Sequence, residues 1–199
     1  MKNIIVSFLL IVCTNAFAAT DYLPGKYSID PDHTRISFII RHFVISEVEG
    51  RFNDVQGEFT LPKSFTDLKV TATVPVASID TGVKKRDEDL RSKNFFEVAK
   101  YPEMKLVSKS ITGTPESFKM LATLTIKDVT KDVTFEGKYT GSVKDPWGKQ
   151  RAAFQVTGSV NRKDFHINYD QKLGADAAVG DMVKIHVWTE AVKVGEVNP

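Results

Sequence analysis

Cysteine is almost missing from this 199-residue sequence, and Cys13 is the only one. It falls in an N-terminal stretch that reads as removable. The mature chain is therefore expected to carry no disulfide, no thiolate metal site and no cysteine nucleophile. Histidine is scarce as well. His33, His42, His166 and His186 stand far apart with no His-x-His pair, so they read as structural or surface residues and no metal is expected. An excess of one charge is lacking too: the formal net charge is +2, and acids and bases are intermingled. That removes the electrostatic case for nucleic acid. There is no Gly-x-Ser-x-Gly turn, no Gly-rich phosphate loop, no low-complexity segment and no solenoid repeat.

One apolar run stands out, Ile4 to Val12, and it is too short to span a bilayer. Met1-Lys2-Asn3 precedes it and the small-x-small site Ala16-Phe17-Ala18 follows. Residues 1–18 are therefore expected to be a secretory signal peptide, with residues 19–199 forming a single domain. Val12 is bulky where a lipidation site at Cys13 would want a small residue. The hydrophobic share of 42% and the charged share of 26% suit a folded globule held by its core.

The remainder is dominated by a period of two. Leu68, Val70, Ala72, Val74 and Val76 alternate with polar residues. So do Met120, Ala122, Leu124 and Ile126, then Val133, Phe135, Gly137 and Tyr139, and later Val183, Ile185 and Val187. Turn signals such as Asp145-Pro146-Trp147-Gly148 separate the runs. The pattern predicts roughly eight or nine hairpin-connected strands with one apolar face, which must close into a barrel or stack as a sandwich. Gly50, Gly137, Gly141 and Gly158 inside strands favour strong curvature, hence a barrel. Thr81 to Val98 breaks the rhythm with a helical spacing of Val83, Arg86 and Leu90, capped by Asp80 or Thr81, with Ser92 capping a second short turn. Asp87 and Asp89, in its charged run, read as a solvated face.

The stretch from Tyr27 to Phe59 is the most informative. Asp30-Pro31-Asp32 is a turn. After it Ile36, Phe38 and Ile40 share one strand face, and His42 follows on that face. The order Tyr27-Ser28-Ile29-Asp30, His33-Thr34, Arg41-His42, Gly50-Arg51-Phe52 and Gly57 resembles the YceI-like family of periplasmic polyisoprenoid-binding proteins. Further pieces agree: Ala77-Ser78-Ile79-Asp80-Thr81, Arg86-Asp87, Phe95-Phe96-Glu97-Val98, Tyr101-Pro102, Asn161-Arg162-Lys163-Asp164-Phe165 and Val179-Gly180-Asp181. The resemblance runs from about Tyr27 to Ala191. It departs at Asp89, where His is common, and at Asp128 and His166, where Gly is common.

That resemblance implies an all-β fold with a short helical excursion: an antiparallel eight-stranded lipocalin-like barrel. It also implies a periplasmic protein that holds an isoprenoid or other long-chain lipid, with no catalysis and no cofactor. On the residues alone, Phe38, Ile40, Phe52, Val74, Leu124 and Phe135 are either plain core or the lining of a hollow. The resemblance implies lining, around a lipid tail. Phe95 and Phe96 either cover one end or pack their helix. Arg41 and His42 are expected at the barrel mouth, binding a polar or anionic head group through charge-assisted hydrogen bonds. The competing reading pairs Arg41 with a carboxylate across the sheet. No stable membrane insertion is expected after signal cleavage, and a homodimer through an exposed edge stays open. Two rivals remain: an enzyme on such a lipid with His42 or His166 as general base, and a filled-core interaction or electron-transfer module.

Overall fold

Residues 22–173 and 176–197 are described by a computed structural model; the expected signal peptide and Cys13 lie outside the described residues. The elements in chain order are β1 (Gly25–Ile29), β2 (Arg35–His42), β3 (Ser46–Phe52), β4 (Gln56–Leu61), β5 (Lys69–Pro75), β6 (Ile79–Asp80), α1 (Lys84–Arg91), β7 (Glu103–Thr114), β8 (Ser117–Ile126), β9 (Val129–Lys144), β10 (Gln150–Asn161), β11 (Lys172–Leu173), β12 (Asp176–Ala177) and β13 (Val179–Gly195). Hydrogen-bonded neighbours run β1-β4-β5-β7-β8-β9-β10-β13, and β13 pairs back onto β1. Eight antiparallel strands thus close the barrel.

Strand β13 borders both β1 and β2, with Ala191 opposite Ile29 and Trp188 opposite Arg35. β1 and β2 are therefore two pieces of one interrupted strand. The break is chemical. Pro31 opens a 3-10 turn, and the Asp30 carboxylate accepts from the Asp32 backbone N–H at 3.1 Å. β3 and β4 continue each other in the same way, as do β5 and β6. Ser37, on the outward face by periodicity, is buried between its cross-strand neighbours Arg51 and His186. A small side chain between two long ones loses its access to water.

The two barrel ends differ. One is filled by rings. Tyr22 meets Phe65 and Tyr139 edge-on at 6.2 and 5.8 Å, Tyr27 stacks on Phe59 at 5.0 Å, and Phe154 touches Phe59, Phe118 and Tyr139. Such offset and edge contacts fill volume well. At the other end β5 and β7 part after the pair Pro75–Glu103. The chain between them makes α1 and a set of turns that close with Val76 N–H on the Pro102 carbonyl at 2.8 Å.

This excursion is shorter as a helix than the spacing predicts. α1 covers Lys84–Arg91, and its N-cap is Val83, with no side-chain cap. Asp80 and Thr81 are occupied elsewhere. The Asp80 carboxylate takes the Gly82 N–H at 2.9 Å, and Thr81 donates both N–H and hydroxyl to Asp87 at 2.9 and 2.6 Å. Asp87 is consequently buried rather than solvated. Ser92 does open a second turn, its hydroxyl accepting from the Asn94 N–H at 3.2 Å.

Candidate functional site

Alternate residues of a closed sheet point inward, and here they do not meet in the middle. A cavity of about 390 Å³ lies between the ring-filled end and the α1 excursion. Ile36, Phe38 and Ile40 of β2 form one wall, with Phe52 of β3 beside them. Val74 of β5, Leu124 of β8, Phe135 of β9 and Val183, Ile185 and Val187 of β13 form the rest. Leu90, Phe95 and Phe96 cover it from the excursion. None of the rings of the filled end, from Tyr22 to Phe154, borders it. All ten residues singled out from the sequence as tail or head-group contacts border this cavity: Phe38, Ile40, Phe52, Val74, Phe95, Phe96, Leu124, Phe135, Arg41 and His42.

The cover is fixed by rings and by arginines. Phe52 meets Phe38 at 5.8 Å and Phe96 edge-on at 6.1 Å, and Phe95 stacks on Tyr169 at 4.6 Å. Arg86 donates from Nε to the Thr81 hydroxyl at 2.7 Å and from Nη2 to the Thr81 carbonyl at 2.8 Å. Arg91 Nε reaches the Ala77 carbonyl at 2.8 Å. Arg162, only 3% exposed, is buried at the same end of the barrel. It donates to the carbonyls of Gly180, Ile167 and Val179 and to the Asp181 carboxylate. A buried guanidinium needs that many acceptors. These bonds tie the cover and the walls together. Among the described residues no buried side-chain nitrogen or oxygen lacks a partner.

Arg41 and His42 differ from them. Glu47, the cross-strand neighbour of Arg41, takes Lys184 Nζ at 3.3 Å. Arg41 is exposed and makes no ion pair with a described residue. The His42 ring lies 3.9 Å from that of Phe43. Arg41 and His42 thus both border the cavity's rim, His42 on the inward face of β2 and Arg41 on the outward face by alternation.

A cluster of ionisable groups around Arg151 lies away from the cavity. Asp30, His33 and Glu190 bring ligand atoms within 4.8 Å of one another. Arg151 already supplies a positive charge there, reaching Asp30 at 2.8 Å, Glu190 at 2.5 Å and Asp145 at 2.8 Å. Burial works to raise the Asp30 carboxyl, but hydrogen bonds from Arg151 and His33 outweigh it and hold it below its ordinary value. Asp145 is held low chiefly by the Arg151 hydrogen bond. His166 does not border the cavity; its Nδ1 sits 3.1 Å from Asp128. The two departures from the family pattern at these positions therefore contact each other.

Sequence reasoning passed over Arg86, Asp89, Lys105 and Arg162, all of which border the cavity. The signal for Arg162 was present, as an arginine inside a quoted motif with Asp181 in the next one. Lys105 falls on the outward face by alternation and reaches the border because β7 starts at the seam.

A family model for the YceI-like domain matches residues 27–191. The chain is similar to a UPF0312 protein of Yersinia enterocolitica, 38% identical over 157 residues that cover 77% of this chain and 82% of that protein. It is similar in structure to the YCEI protein of Campylobacter jejuni, with a TM-score of 0.68 and 28% identity over 77% of this chain and 90% of the other. BcnA of Burkholderia cenocepacia superposes with a TM-score of 0.72 at 21% identity, covering 82% and 99% of the two chains. A polyisoprenoid binding domain from Saccharophagus degradans gives 0.64 at 16% identity, covering 84% and 98%. At those identities the last two speak to fold alone.

Proposed function

The chain belongs to the YceI-like domain family, and from that premise we propose that it is an exported periplasmic binding protein. Its cargo is a long-chain isoprenoid or similar amphiphile, held tail-inward in the barrel and stored or carried through water. The carrying observation is the cavity of about 390 Å³, walled by apolar side chains and ending on Arg41 and His42. A domain of this fold named for polyisoprenoid binding agrees with the chemistry of that wall. The N-terminal run Ile4 to Val12 and the Ala16-Phe17-Ala18 site support export.

The energetics fit a lipid. A tail burying about fifteen methylenes at about 0.8 kcal/mol each gains roughly 12 kcal/mol gross. Association costs roughly 4 to 15 kcal/mol. Tight binding therefore requires most of the tail to be enclosed. The head group stays at Arg41, where charge-assisted donors suit a phosphate or diphosphate.

Native mass spectrometry of protein purified from cells, followed by organic extraction, tests this directly. A co-purifying long-chain lipid at about one per chain is expected. Protein that carries none, and that takes up neither a prenol nor a prenyl diphosphate, would overturn the reading. Arg41→Ala with His42→Ala is expected to weaken the prenyl diphosphate about tenfold or more, about 1.4 kcal/mol, while leaving the uncharged prenol unchanged.

A further inference from the structure

The turn joining β2 to β3 is Phe43-Val44-Ile45, three apolar residues in succession. All are exposed, Ile45 to 90%. A hairpin tip in water ordinarily carries Gly, Asn or Asp, which tolerate positive φ and remain solvated. Here Phe43 and Val44 hold φ of 50° and 65°. For a β-branched residue that conformation is an outlier. The tip is nonetheless held in place. Phe43 N–H bonds the Ala178 carbonyl at 2.9 Å, the Ser46 hydroxyl bonds the His42 carbonyl at 3.0 Å, and His42 packs on Phe43. Strain is retained at such a place when the exposed side chains have a use.

The tip adjoins the cavity. Arg41 and His42, the two residues before it, border the cavity, and Val179 lies opposite His42. Between Val179 and Val183 the register against β2 slips, and Met182 in that bulge is a further exposed apolar residue at this end. Arg41, just behind the tip, has no carboxylate partner among the described residues. An apolar wedge with an unpaired guanidinium two residues behind it matches a lipid bilayer, where acyl chains lie beneath a layer of phosphates.

We propose that the Phe43-Val44-Ile45 tip inserts into a phospholipid bilayer surface and sets the cavity mouth against it, so that cargo passes between bilayer and barrel without crossing open water. This rests on the lipid-carrier reading. Each methylene exposed to water raises the barrier to exchange, so a mouth docked on the bilayer shortens the costly step. Three shallowly inserted side chains give weak, reversible attachment, which suits a carrier that must leave again.

The test uses the exported full-length protein and vesicles of phosphatidylethanolamine and phosphatidylglycerol. Phe43→Ser with Ile45→Ser is expected to lower vesicle binding about tenfold or more and to slow lipid transfer between vesicles equally. Affinity for a detergent-solubilised prenol and the melting temperature are expected to stay the same. Separately, Ile45→Trp is expected to be quenched by brominated lipids, whereas Trp147, in the β9–β10 turn at the ring-filled end, is not. Vesicle binding unaffected by the double substitution, an unquenched Ile45→Trp, or a parent chain that self-associates through the tip in place of binding vesicles would each overturn the proposal. Loss of prenol binding in solution by the tip variant would also overturn it, because the tip would then belong to the cavity. A chain that takes up no lipid in solution, yet loses vesicle binding on tip substitution, would overturn the carrier reading and leave the docking surface standing.

Discussion

The Phe38 ring lies over Gly50, its direct cross-strand neighbour, so closely that a Cβ on Gly50 would stand 2.3 Å from Phe38 Cζ. Phe135 uses Gly158 and Phe118 uses Gly137 in the same way. An aromatic side chain fills the gap its glycine partner leaves, and the pair keeps the ring flat against the wall instead of across the lumen.

Gly50→Ala is therefore expected to push the Phe38 ring into the cavity. Stability should fall by about 1–3 kcal/mol, the usual range for overpacking. Lipid affinity should fall with it. Urea unfolding and a fluorescent-lipid titration read the two effects. Affinity unchanged at a measurable stability cost would mean that the ring moves away from the lumen.

Leu124→Trp distinguishes a hollow from a filled core. Leu124 borders the cavity and is buried. In a filled core the larger residue would cost about 1–3 kcal/mol. With space beside it, the indole is expected to fit with little loss of stability and to lower lipid affinity at least tenfold. Melting temperature and titration, measured on the same sample, decide between the two. The contrasting variant Phe135→Ala, at a 3% exposed core position, should cost about 3–5 kcal/mol.

Tyr22 gives an alkaline signature. Burial, then the neighbouring Tyr139, pushes its hydroxyl up to about 12, and it donates to the Pro62 carbonyl. A phenol whose folded pKa is raised stabilises the fold fully below the unfolded value near 10. That stability is lost as pH rises through the folded value. Absorbance titration at alkaline pH should show a late-ionising tyrosine that Tyr22→Phe removes, and the variant should unfold less steeply between about 10 and about 12.

The Arg151 hub gives the acidic counterpart. Asp30 and Asp145 have lowered folded pKa values. Their contribution is present above the unfolded carboxylate range and fades as pH falls through the lower folded values. Arg151→Gln should therefore be less stable than the parent at neutral pH, by an amount that shrinks on acidification. Urea melts over a pH series measure this. A gap independent of pH would mean that Arg151 acts by packing alone.

The barrel was legible because a period of two is visible in any window that carries it, and Ile36, Phe38 and Ile40 announce their face. Periodicity names the inward side of each strand but not the layer at which inward side chains touch. Val74 and Phe154 read alike in sequence, yet the first borders space and the second sits among rings. The excursion after Thr81 was visible as a change of period. Its capping was misread because Asp87, six residues along, claims Thr81 before the helix can. Arg162 was overlooked because an arginine just past the end of β10, in a 3-10 turn, looks solvated, and only the fold supplies the carbonyls that bury it. Nothing was made of the Phe43-Val44-Ile45 tip at the level of sequence, since exposure is set by the hairpin and not by the residues in it.

The rings packed from Tyr22 to Phe154 have a kinetic consequence. On the carrier reading, with that end stoppered among the described residues, a cargo that enters tail-first past Arg41 and His42 would leave head-first by the same way. Uptake and release would then compete for the same opening and could not run as a through-flow, and a tail longer than the chamber would have to fold back on itself or trail outside.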